Sequence, residues 1–132
     1  MIVLDVSAVV ALLVRDRPEH VRAVGVLAAA RQDVVVPLGL LALVDHALAG
    51  PRWTPATLAL LDGILRGDTF LDPGDLDLPR IRELMARSSE PPLRLADATV
   101  IACAERNGGA VLSLDRSALS VAARDLPIRL LP

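Results

Sequence analysis

The stretch PLRLADATVIACAERNGGAVLSLDRSAL, from Pro92 to Leu119, limits the possible folds more than any other part of the chain. Leu95 to Asn107 has helix composition, and its apolar residues cover more than one face, so the segment is expected to be a buried helix. Asn107-Gly108-Gly109 ends it, because Asn and Gly accept the left-handed conformation that a helix C-terminus uses. Ala110–Leu114 is an apolar run of strand length, and Asp115 opens the next segment. If that strand is a central parallel one, the helix before it runs antiparallel to it. Asp97 near the helix start and Asp115 past the strand end then meet at the carboxyl edge of the sheet. In open α/β sheets that edge is where ligands bind.

The rest of the chain repeats this alternation. Ile2–Leu4 is a minimal buried strand, broken at Asp5-Val6-Ser7. Ala8–Val14 is a short helix, and Asp16 with Pro18 starts another that runs to Arg31. Val34–Val36 is the second strand. Pro37 opens a helix through Ala49, and Gly50-Pro51 stops it. Thr54-Pro55 begins a helix ending at Gly67, with Leu58, Leu61, Ile64 and Leu65 on one stripe. Thr69–Leu71 is a third strand, and 72–77 is a loop with an acidic bias. Asp77 caps a helix through about Ser88, and Ser88–Pro92 is a loop. After Asp115 come a short helix at Ser117–Arg124 and a terminal strand at Ile128–Leu131. Alternating strands and helices imply a parallel sheet with right-handed crossovers and helices on both faces. Five strands fit, in one domain spanning 1–132. With the order 3-2-1-4-5, the switch point lies between strands one and four. Asp5 and Asp115 would end those two strands, with Asp97 above them.

Composition narrows the function. Apolar residues make up 53% of the 132, which suits a sheet covered on both faces. The longest uncharged apolar run, Val34–Val44, is too short to cross a bilayer, and the start of the chain lacks a basic region ahead of an apolar one. A cytoplasmic protein without membrane attachment is expected. Cys103 is the single cysteine, so no internal disulfide forms; its expected role is that of a small buried hydrophobe. All 14 basic residues are Arg, which excludes a catalytic lysine. A net charge of −2 and only two aromatics, Trp53 and Phe70, give little general affinity for nucleic acid. Any RNA contact rests on Arg, with Arg94 and Arg116 nearest the acidic edge, and on bound metal.

Three carboxylates at one edge cannot all stay ionised without a counter-charge. Mg²⁺ or Mn²⁺ would supply it, activate water and stabilise a phosphoryl oxygen. Asp5, Asp97 and Asp115 are therefore the candidate metal-binding and catalytic residues, with Ser7 and Ser113 as supporting hydroxyls that contact the acids or hold metal-bound water. Each acid also has a plain helix-capping role available. Capping does not explain why three of them share one edge. His20 and His46 lack partners at metal-ligand spacing. Other acid-dependent folds fit less well. A haloacid-dehalogenase-type phosphatase wants a second Asp where Ser7 stands, a receiver domain wants a Lys, and a dinucleotide-binding domain wants glycines in the first turn.

Four pieces resemble the PIN-domain proteins of the VapC toxin type: IVLDVSAVVALL, VVVPLGLLALVDHAL, LADATVIACAERNGGAVLSLDRSAL and the apolar terminal strand. The resemblance covers almost the whole chain. It implies a Mg²⁺- or Mn²⁺-dependent endoribonuclease, usually a homodimer, silenced by a cognate VapB-like antitoxin. The family's first, third and fourth acids map onto Asp5, Asp97 and Asp115. Its second acid, a Glu in a pattern like P-x-x-x-x-A-E-V, falls on Leu43. Asp45 is roughly 200° round the helix from that position, and His46 about 60° away and one turn on. Ser88 and Leu119 replace aromatics common in the family, and Ala118 replaces a frequent acid. The rival expectation is thus a catalytically inactive PIN-fold binding module that acts as an antitoxin-binding or dimerisation partner.

Overall fold

The computed structural model describes residues 1–87 and 90–132. Asp5 sets the first structural decision. Its carboxylate accepts the Ala8 backbone N–H at 2.8 Å and caps helix α1, Val6–Leu13, which therefore starts two residues earlier than the pattern suggested. Strand β1, Ile2–Leu4, precedes it and is fully buried.

Helix α2, Pro18–Ala30, leads to strand β2, Val34–Pro37. Pro37 ends that strand instead of opening a helix: a 3-10 turn at Leu38–Leu40 intervenes before helix α3, Leu41–Leu48. Helix α4, Thr54–Arg66, stops at Gly67 in the left-handed conformation. Strand β3 is Phe70–Asp72, one residue later than expected, so Asp72 belongs to the sheet and not to the acidic loop. Helix α5, Leu78–Ala86, ends inside the described residues; its expected end at Ser88, the first part of the 88–92 loop and the Ser88 replacement lie outside them. Helix α6, Leu95–Arg106, is followed by strand β4, Ala110–Leu112, helix α7, Ser117–Ala122, and strand β5, Arg129–Leu130.

The five strands form one parallel sheet in the order β3-β2-β1-β4-β5. β1 is the centre, with Ile2 in register with both Val34 and Ala110. α1 packs against α2, α3 and α4, while α6 packs against α5 and α7. α6 is the most buried helix: Ala98 and Val100 through Ala104 are all in the core. Its alanines let it lie close to β1 and β2. Among the described residues no helix is long and apolar enough to cross a membrane.

The turn from α6 into β4 needs glycine at one position for two reasons. Gly109 has φ +86°, and a Cβ there would lie 2.6 Å from the Pro127 carbonyl oxygen. Gly108, at φ +94°, faces open space. Gly109→Ala is expected to lower stability by about 2 kcal/mol or more, combining left-handed strain with displacement of the strand β5 entry, and Gly108→Ala by about 1 kcal/mol. Chemical denaturation of the two variants should show that order.

Candidate functional site: an acidic cleft at the carboxyl edge

α6 forms one wall of a cavity of about 780 Å³ at the carboxyl edge of the sheet. Ala96, Thr99 and Cys103 on α6 line it at helical spacing, with the 3-10 turn and α3 on one side and the start of α5 on the other. Asp97, Asp115, Leu43 and Arg94 all line this cavity. Asp5 sits beneath it, only 9% exposed.

Asp5 is held on nearly every side. Oδ1 accepts the Ser7 hydroxyl at 2.7 Å and the Ala8 N–H at 2.8 Å. Oδ2 accepts the Ser113 hydroxyl. Of roughly four acceptor sites on a carboxylate, about one remains, at Oδ2. Burial pushes the Asp5 carboxyl above its ordinary value, and the negative charge of Asp115 pushes the same way. The hydrogen bonds from Ser113, Ser7 and Ala8 oppose the rise without cancelling it.

Asp97 lies in the first turn of α6 and accepts the Arg94 N–H at 3.1 Å, so it caps the helix and faces the cleft at once. Arg116, not Asp115, stands at the N-cap position of α7. The Asp115 backbone is tied back to the first turn of α1. Ser7 Oγ accepts the Leu114 N–H at 2.8 Å and the Asp115 N–H at 3.0 Å. The Ser113 hydroxyl also lies 2.6 Å from the Asp115 carbonyl oxygen.

Leu43 is 42% exposed and faces the cleft with Asp97 and Asp115. Asp45 and His46 are exposed and are not among the cavity's lining residues. His20 has its Nδ1 3.0 Å from the Ala11 carbonyl oxygen, a packing role. Of the two arginines, Arg94 stands at the cavity rim. The Arg116 Nε is shut off from solvent and makes no hydrogen bond among the described residues, so only its terminal nitrogens are left for an outside partner. Among the described residues no three His, Cys, Asp or Glu side chains are grouped closely enough to hold one metal ion together.

The far end of the cavity was not foreseen from the sequence. Arg106 Nη2 donates to Asp72 Oδ2 at 2.7 Å and to Asp77 Oδ2 at 2.7 Å, and its Nε donates to Asp77 Oδ1 at 2.5 Å. Cys103 is buried, as expected, yet its thiol also donates to Asp72 at 3.3 Å, as does the Asn107 amide at 3.3 Å. Burial and the Asp72 carboxylate push the Cys103 thiol up to about 12. Burial alone would raise Asp72, but the Arg106, Cys103 and Asn107 donors outweigh it and hold the carboxyl below its ordinary value. The acidic bias of 72–77 was the available signal. Its partner, Arg106, lies some thirty residues on and gives no local sign.

An α/β sheet with this strand order and an acidic cleft at its carboxyl edge defines the class. Residues 2–124 match the family model of the PIN domain, and the chain belongs to the PIN-domain family. Among solved structures it is similar to Mycobacterium tuberculosis VapC20, described as a sarcin-ricin loop cleaving toxin. The TM-score is 0.76, with 20% identity over 100% of both chains. It is also similar to FitAcB from Neisseria gonorrhoeae, with a TM-score of 0.62 and 18% identity over 100% of this chain and 97% of the other. At these identities the likeness is one of fold. No curated protein matches the chain.

Proposed function

We propose that this chain is a VapC-like toxin: a Mg²⁺- or Mn²⁺-dependent endoribonuclease of a toxin–antitoxin pair, with activity weakened by Leu43. The observation that carries the reading is the shared cleft of Asp97 and Asp115 above the buried Asp5. The donor set fits a hard divalent cation. It is all oxygen, and Mg²⁺ characteristically takes one or two carboxylates and keeps several waters. Asp97 and Asp115 would hold the ion and its waters from the cleft, and the buried Asp5 would add negative charge beneath it without ligating the ion. When bound, such an ion supplies an activated water and charge stabilisation at a phosphoryl oxygen. Arg94 at the rim, and the terminal nitrogens of Arg116, are the groups available to an RNA phosphate. Ser7 has no acceptor site left for a metal-bound water, so its support is indirect.

The test is cleavage of RNA by the purified chain in Mg²⁺ or Mn²⁺. Asp97→Asn and Asp115→Asn are each expected to lower the rate about a hundredfold or more, on the scale of removing a group that fixes the ion or its water. Native rates in either variant would overturn the assignment.

Leu43 also favours a second reading, a PIN-fold binding module that has lost catalysis and serves a VapB-like antitoxin or a second copy. Metal-independent binding of an antitoxin encoded beside this chain, with no cleavage in either ion, would select it.

A homodimer is proposed under both readings. Val21 on α2 is 72% exposed, and Leu58 and Leu65 on α4 are 54% and 84% exposed, more apolar surface than a small monomer ordinarily shows. Light scattering at micromolar concentration is expected to give twice the chain mass; the mass of one chain would refute it.

A further inference from the structure

We infer that Ser7 is a positioning residue: its hydroxyl holds the loop between β4 and α7 so that Asp115 faces the cleft. This rests on the reading of Asp115 as part of the site. A serine hydroxyl has one proton and two acceptor sites. In Ser7 all three are used. The proton goes to Asp5 Oδ1 at 2.7 Å, and the acceptor sites take the Leu114 and Asp115 N–H groups at 2.8 and 3.0 Å.

The arrangement is economical because of where Ser7 sits. It lies in the first turn of α1, directly after the strand end that carries Asp5. The loop it grips is 107 and 108 residues away in sequence. Leu114 and Asp115 lie outside regular secondary structure, so the sheet ladder does not hold their N–H groups. One side chain therefore joins the buried Asp5 to the loop that carries an acid in the cleft. Alanine would leave two backbone donors without this acceptor and Asp5 Oδ1 with only the Ala8 N–H. Threonine keeps the oxygen in the same place.

The experiment compares the native chain, Ser7→Ala and Ser7→Thr by amide hydrogen exchange and by Mn²⁺ titration calorimetry. In the native chain the Leu114 and Asp115 amides should be protected despite lying in a loop. Ser7→Ala should speed their exchange about tenfold or more while the β4 amides keep native rates. It should also weaken Mn²⁺ binding about threefold to tenfold, in the lower part of the range for residues that orient metal ligands. Ser7→Thr should restore both. A merely structural serine would change overall stability but not shift these two amides and the Mn²⁺ affinity together.

Unprotected Leu114 and Asp115 amides in the native chain overturn the inference, and that measurement stands even if Ser7→Ala does not fold. Native exchange in Ser7→Ala overturns it too. So does fast exchange with unchanged Mn²⁺ affinity, because the loop would then not govern the site. If the native chain binds no Mn²⁺, the metal reading of the preceding section fails, and the hold of Ser7 on the loop is decided by the exchange rates alone.

Discussion

Leu43→Glu is expected to cleave RNA about tenfold to a hundredfold faster than the native chain in Mg²⁺ or Mn²⁺, the range over which supporting groups alter metal sites. Leu43 faces the same cleft as Asp97 and Asp115. A leucine there can neither bind a cation nor position a water, and it sets an apolar surface beside the two carboxylates. The substitution is also tolerable for the fold. An unpaired carboxylate costs several kcal/mol when buried, but Leu43 is 42% exposed, so water can solvate the new group. Three carboxylates around one cleft repel one another without a cation. The variant should therefore gain more thermal stability from added Mn²⁺ than the native chain does. A native chain that already cuts as fast, and that Asp97→Asn silences, would show that three acids suffice.

Arg106→Met should be the most damaging surface-accessible substitution, costing about 2–3 kcal/mol, with Tm falling by roughly 8 °C or more. The guanidinium is 46% exposed, but its two partners are not: the Asp72 and Asp77 side chains are 13% and 7% exposed. Removing the cation leaves two nearly buried carboxylates facing each other, and that is the costly half of breaking such a network. The network joins the end of β3, the 75–77 turn and α6, so its loss should also loosen the far wall of the cleft. Acid provides an independent check. Arg106, Cys103 and Asn107 hold Asp72 below its ordinary value of 3.8. Its contribution to stability is full above that value and is lost as pH falls through the lower folded one. In Arg106→Met, burial acts on Asp72 without its main opponent. The gap in Tm between native and variant should therefore narrow below about pH 4. A gap that stays constant would mean that Asp72 does not draw its stabilisation from Arg106.

The parts of the fold that follow from periodicity were legible in the sequence. The strand–helix alternation, the central place of Ile2–Leu4 and the burial of the Leu95–Arg106 helix come from apolar runs punctuated by Gly, Asn and Pro, whereas the order 3-2-1-4-5 is one those runs permit and do not dictate. Boundaries moved where side chains intervened. Asp5 pulls the start of α1 back to Val6, and the register of β3 with β2 carries the strand on to Asp72. In the site, the edge position of Asp5, Asp97 and Asp115 could be reasoned from topology. Their different placement could not. Asp5 is held below the cleft by hydrogen bonds from Ser7 and Ser113, and the Ser7 oxygen also accepts the Asp115 N–H, while Asp97 is fixed separately by the Arg94 N–H. Only the folded chain brings those serines together, 3.5 Å apart. Asp77 is a similar case. It stands at the helix start as a capping residue would, yet its carboxylate is spent on Arg106.

The central position of β1 has a consequence for how the protein is made. β1 is synthesised first, but one of its two neighbours in the sheet begins at Ala110. The Asp5 carboxylate waits for Ser113, 108 residues later. Closing loops of that length is a slow, non-local step compared with forming the helices between them. A growing chain can thus pair β1 with β2 and β3 while it has no β4, no Ser113 and no Asp115. The cleft is completed only when residues 110–115 have left the ribosome, so shorter nascent chains carry Asp5 without the edge it sits beneath.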